Sequence, residues 1–199
     1  MEENYSNILA DAISSLPPSV VEERATRLKE EGNEAYAEKD YDNALSKWGK
    51  GVGILKAAGL ETSQLSIAIR SNVVMVFLKT GMYEYVVTEC NDLLEIDPRN
   101  AKILARRAKA NTSLADRPGT GETFDERKAK HNQAMEDLNK CIEILNEGCL
   151  DAAKMKLKKE CEEDLRCLFR RGDDFYTELA EGRDGLKHHM NSGKFISVY

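Results

Sequence analysis

From Ala25 onward, apolar residues return every three to four positions and polar ones fill the gaps between them. That is the period of a helix with one buried stripe. In the first segment Leu28, Gly32, Ala35 and Tyr36 fall on one face. Lys39-Asp40-Tyr41-Asp42 then makes a turn, with Asp40 placed to cap a second helix. In that helix Ala44 and Trp48 stand four residues apart and the small Gly51 follows.

The same sequence of helix, turn and helix returns from Ile67 to about Asn100. Phe77 takes the aromatic position, Gly81-Met82-Tyr83 makes the turn, and Pro98 closes the unit within "LLEIDPRN". Val86 and Cys90 replace the small residue and aromatic of the first copy. Between the copies, Gly59 to Ser66 is extra, either a longer helix or a loop. A third copy starts at Ala101 with Leu104, Ala105 and Ala108. Asp116-Arg117-Pro118-Gly119-Thr120-Gly121 interrupts it, and its second helix resumes near Asp125 with the stripe Ala134, Leu138, Cys141, Ile142 and Leu145.

These boundaries predict an all-α chain of helix-turn-helix units: an arm or short helix over 1–21, three repeats within 22–148, a capping helix over 149–171 and a tail over 172–199. The repeats run over about 25–58, 67–100 and 101–147, with an insertion at 116–129 that adds about fourteen residues to a unit of roughly 34. The arm holds a short amphipathic stretch, Ile8, Leu9, Ile13 and Leu16, stopped by Pro17-Pro18. Ala153, Leu157, Cys161, Leu165 and Leu168 form the single apolar face expected of a solenoid cap.

Composition narrows the chemistry. Of 199 residues, 41% are hydrophobic and 32% charged, with four prolines and thirteen glycines, which suits a helix-rich chain. A formal charge of -6 argues against bulk affinity for nucleic acid or anionic membrane. Five cysteines without a C-x-x-C pair give no zinc or thioredoxin pattern. Their odd number, and an acidic start where a signal peptide carries base, favour a reducing cytoplasmic or nuclear setting. No cofactor and no metal are expected. His131 stands alone, and Gly49-Lys50-Gly51-Val52-Gly53 lacks the strand and spacing of a dinucleotide site. No nucleophile and base pair up, so the expectation is a binding protein and not an enzyme.

One constellation stands out. Lys29 with Asn33, and Lys102 with Arg106, are each four residues apart, so each pair shares a helix face. Each opens a repeat, and stacked repeats bring their first helices alongside one another. Asn72 interrupts an otherwise apolar helix, where an amide has poor propensity and needs a partner. Two kinds of cation and an amide suit a chain-terminal carboxylate with an acidic side chain beside it.

The stretches "RLKEEGNEAY", "SNVVMVFLKTG" and "AKILARRAKA" resemble the opening helices of the tetratricopeptide repeat co-chaperones that bind the C-terminal tails of Hsp90 and Hsp70. The resemblance covers roughly Arg24 to Leu145. It implies three repeats wound into a right-handed superhelix and a two-carboxylate clamp for a Glu-Glu-Val-Asp tail. The matching positions are Lys29, Asn33, Asn72, Lys102 and Arg106, with Phe77 and Leu104 expected to line the groove. A second client protein is a further possible partner. Two other readings stay open: a scaffold that binds an internal segment of a partner, and self-association through the cap helix and the apolar end Phe195 to Tyr199.

Overall fold

The computed structural model describes residues 12–117, 122–147 and 151–170. Besides a helical stretch at 12–14, they hold the helices α1 (Pro18–Ala37), α2 (Tyr41–Ala57), α3 (Gln64–Thr80), α4 (Tyr83–Ile96), α5 (Ala101–Ala115), α6 (Phe124–Asn146) and α7 (152–170). Among the described residues there is no strand, and no helix is long and apolar enough to cross a membrane.

The helices start and stop where local chemistry directs. Asp40, Ser63, Asn100 and Thr123 each accept a hydrogen bond from the backbone N–H three residues on, capping α2, α3, α5 and α6. Thr123 and Glu126 complete a reciprocal capping box. At the ends of α1, α2 and α3 the chain reverses through a left-handed residue: Lys39 (φ 66°), Gly59 (φ 71°) and Gly81 (φ 76°). In each case the next N–H reaches back five residues, from Asp40 to Ala35, from Leu60 to Leu55 and from Met82 to Phe77. These are Schellman endings, and only Lys39 lacks the glycine that makes them easy.

Consecutive helices pack pairwise, α1 on α2, α3 on α4 and α5 on α6. In addition α1 touches α3, and α3 touches α5, whereas α2, α4 and α6 make no comparable contact with one another. The array therefore bends with its first helices innermost, which gives the inner layer expected of a stacked repeat. Two cores hold it. Val21, Ala25, Ala44, Trp48, Leu55 and Ile69 fill the amino-terminal one. Val86, Leu93, Ile103, Leu104, Ala134, Leu138, Cys161 and Leu168 belong to the second, so α7 closes the far end.

One expectation needs adjustment. Helix α1 starts at Pro18, inside the segment read as an arm, because proline is well placed in a first turn where its missing N–H has no intrahelical partner. Val21 is buried and anchors this extra length. The extra residues at 59–66 form a loop through 63, after which α3 starts at Gln64. The insertion lengthens both the connection and the start of α6, which reaches 23 residues. The stretches 1–11, 118–121, 148–150 and 171–199, which include most of the arm and the apolar end, lie outside the described residues.

Candidate functional site

The inner layer carries the site, and its geometry starts with a glycine. Gly32 is buried against Trp48, so close that a Cβ there would lie 2.4 Å from the indole Nε1. The indole reaches past Gly32 and donates to the Lys29 carbonyl at 3.1 Å. Thus α2 pins the turn of α1 that carries both Lys29 and Asn33. The polar side chain then faces away from that contact, across to the next repeat. Asn72 Nδ2 donates to Asn33 Oδ1 at 2.9 Å, leaving the Asn33 amide N–H groups and the Asn72 carbonyl for another partner.

Helix α5 adds the cations. Arg106 Nη1 donates to both the carbonyl and the hydroxyl of Ser71, the residue before Asn72. Burial pulls the Arg106 pKa below its ordinary value, yet guanidinium remains a cation throughout the accessible pH range. Lys102 lies one turn earlier on the same face and is exposed. Ser71, Asn72, Asn100, Lys102 and Arg106 line one depression of about 220 Å³, with Gln64 at its edge. That is room for one residue of a chain and too little for a drug-sized ligand.

Charge is distributed unevenly around the helices. Arg107, next to Arg106, points the other way and forms a two-pronged pair with the buried Asp137, at 2.8 and 2.7 Å, while its third arm bonds to Asn91. Its pKa is raised, chiefly by the hydrogen bond to Asp137. Arg70, two residues before Asn72, pairs with Glu89 at 2.5 Å and sits 3.6 Å from Asp92. Lys29, Lys102 and Arg106, by contrast, have no ion-pair partner among the described residues. The outward arginines tie the two helices of their own repeats together, with Arg107 also reaching Asn91 of the preceding repeat, whereas the inward cations face no carboxylate among the described residues.

Four of the five polar positions are therefore neighbours: Asn33 bonded to Asn72, and Asn72 beside Lys102 and Arg106. Lys29 lies one turn before Asn33, and neither of the two lines the depression. The two apolar positions fall elsewhere. Leu104 is 1% exposed and belongs to the core, because two residues turn it about 200° from Lys102. Phe77, about 140° round α3 from Asn72, leans toward α4 with its ring 6.0 Å from that of Tyr85.

The sequence reading missed Ser71, Asn100 and Tyr36. Asn100 is visible in retrospect as the cap that ends "LLEIDPRN". Tyr36 lies three residues past Asn33 and faces Lys79, whose Nζ stands 5.5 Å from the ring centre. The Lys79 pKa is raised, with Tyr36 the principal cause. Spacing could have found this pair, since Lys79 is seven residues from Asn72 and so returns to its face. Ser71 carries no such signal.

No family model matches the chain. It is 33% identical over 93 residues to Protein PHOX1 of Arabidopsis thaliana, a match covering 46% of this chain and 12% of that protein. It is 27% identical over 168 residues to human Sperm-associated antigen 1, covering 84% of this chain and 15% of that one. The chain thus spans a small fraction of these relatives' length. Among solved structures, the Arabidopsis OM64 TPR domain aligns with a TM-score of 0.51 at 21% identity, over 73% of this chain and 97% of that one. The fold is that of a tetratricopeptide repeat domain.

Proposed function

We propose that this chain is a protein-binding adaptor whose inner groove takes the C-terminal carboxylate of a partner, of the acidic type found at the tails of Hsp90 and Hsp70. One observation carries the reading. Asn72, Lys102 and Arg106 line a single depression, Asn33 of the first repeat is hydrogen-bonded to Asn72 beside it, and the two cations have no carboxylate of their own among the described residues. A chain terminus supplies what is missing. Its carboxylate accepts from the amide of Asn33 and from Lys102, and an adjacent acidic side chain accepts from the free arms of Arg106. Bonds of this charge-assisted kind contribute roughly 1.5–3 kcal/mol each. The resemblance of the three opening helices to the co-chaperone repeats adds to the reading. The role is one of capture, and asks no bond-breaking of the groove.

The test compares two peptides ending in Glu-Glu-Val-Asp, one with a free terminus and one amidated, by fluorescence anisotropy. Amidation removes the terminal charge and turns one acceptor oxygen into an NH2 donor, leaving every side chain unchanged. The adaptor reading expects amidation to weaken binding at least tenfold, and binding to weaken as salt rises. Equal binding of both peptides would replace it with a scaffold that holds an internal segment.

A further inference from the structure

Two contacts cross from α1 to α3 along the inner layer, like rungs. The first is the side-chain hydrogen bond that Asn72 donates to Asn33. The second is Tyr36 with Lys79, three residues further along α1 and seven further along α3. Tyr36 is held in place by the rings of Tyr41 and Trp48, at 5.6 and 6.0 Å. Its face gives Lys79 a firm seat, since a cation is drawn to the electron-rich side of an aromatic ring. Lys79 is exposed, and no carboxylate among the described residues pairs with it.

We propose that Lys79, seated on Tyr36, is a second anion subsite that takes an Asp or Glu side chain about two to three residues ahead of the ligand's C-terminal residue. This rests on the carboxylate reading of the groove given above. At 1.5 Å per residue the two rungs stand about 10.5 Å apart along α3 and about 4.5 Å apart along α1. An extended peptide at roughly 3.3 Å per residue therefore reaches the Lys79 ammonium, held over Tyr36, in about two to three residues. The direction of the ligand follows from charge. Toward Lys79 the groove gains a cation; the opposite way it meets Ala68 and Gln64 on α3 and the exposed Glu22, seven residues before Lys29 on α1. An acidic tail is repelled there and attracted at Lys79. The subsite therefore selects among partners that all present a terminal carboxylate, and favours those whose preceding residues carry an acid at the right distance.

A positional walk tests this. Eight-residue peptides with a free terminus and a constant last two residues carry a single glutamate at each of the five positions before those two, in an uncharged background. Competition anisotropy on the full chain reads the affinity of each, against the same peptide with glutamine. Glutamate two or three residues ahead of the end should bind about two- to five-fold tighter than glutamine, the range of a partly exposed ion pair. The advantage should vanish in Lys79→Gln and persist in Tyr36→Phe, which keeps the ring. A flat walk on the unmodified chain, with dependence on the free terminus intact, overturns the Lys79 subsite and spares the groove reading. A positional preference that survives Lys79→Gln also overturns it. Loss of the terminus dependence overturns both.

Discussion

Replacing Gly32 by alanine adds one methyl group where there is no room for it. Built on the backbone, that Cβ lies 2.4 Å from Trp48 Nε1, 2.5 Å from Cδ1 and 2.9 Å from Cε2. Carbon atoms at rest sit about 3.5–4.0 Å apart, so the indole must move by about an ångström or more. Trp48 is fully buried and cannot swing into water. Such overpacking costs about 1–3 kcal/mol, and losing the bond from the indole to the Lys29 carbonyl costs about 1 kcal/mol more. The gain in helix propensity from glycine to alanine offsets roughly 1 kcal/mol. The net expectation is destabilisation by about 1–3 kcal/mol, which lowers the midpoint by roughly 2–4 °C for each kcal/mol in a chain of this size. Gly53→Ala is the internal control. That glycine is exposed within α2 with nothing inside 4 Å of a new Cβ, so alanine there should stabilise by about 0.5–1 kcal/mol. Urea unfolding followed by circular dichroism reads both. Two substitutions of the same kind must differ in sign; a neutral or stabilising Gly32→Ala refutes the close-approach argument.

Other outcomes follow from the geometry. Asp137→Ala strands Arg107 without its counter-charge and should cost about 3–5 kcal/mol in urea unfolding, as for a buried pair that loses one partner. Lys102→Ala and Arg106→Ala should each weaken tail-peptide binding about tenfold or more in calorimetric titration; Lys102→Ala, being exposed, should leave the melting point unchanged. Glu126 has its pKa lowered, first by the Thr123 backbone N–H and then by its hydroxyl. A depressed carboxyl contributes stability above its unfolded pKa of about 4.3, and loses it as pH falls through the lower folded value. Thermal melts between pH 6 and about pH 2 should therefore fall less steeply for Glu126→Gln than for the parent. Burial pushes the Cys90 thiol up to about 12, so a maleimide reagent at neutral pH should label it only after unfolding, as peptide mass mapping would report.

How far the sequence leads depends on what each residue needs. Helices and repeats were readable because burial repeats with the helical period: Ala44, Trp48, Gly51 and Leu55 all turn inward on α2. The four-residue spacing likewise placed Lys102 and Arg106 on a common face. Leu104 was misread although the same period excludes it, since a residue between two groove positions points to the opposite side. Pro18 was read as a stop, while its position relative to Val21 makes it a start. What periodicity cannot supply is the identity of distant partners. Arg106 and Arg107 are adjacent and chemically identical, and only Asp137, thirty residues on, reveals which of them is structural. Ser71 is found only when Arg106 is seen resting on it.

That resting place has a kinetic consequence. With its guanidinium already tethered to Ser71, Arg106 has surrendered most of its rotational freedom before any visitor arrives. Freezing a long side chain costs roughly 0.5–1.5 kcal/mol, and here folding bears it instead of capture. On the proposed reading Arg106 needs little rearrangement to receive an anion, so encounter should be governed by diffusion and charge steering. A groove of that kind would exchange ligands quickly, with residence time set by how well each one fits.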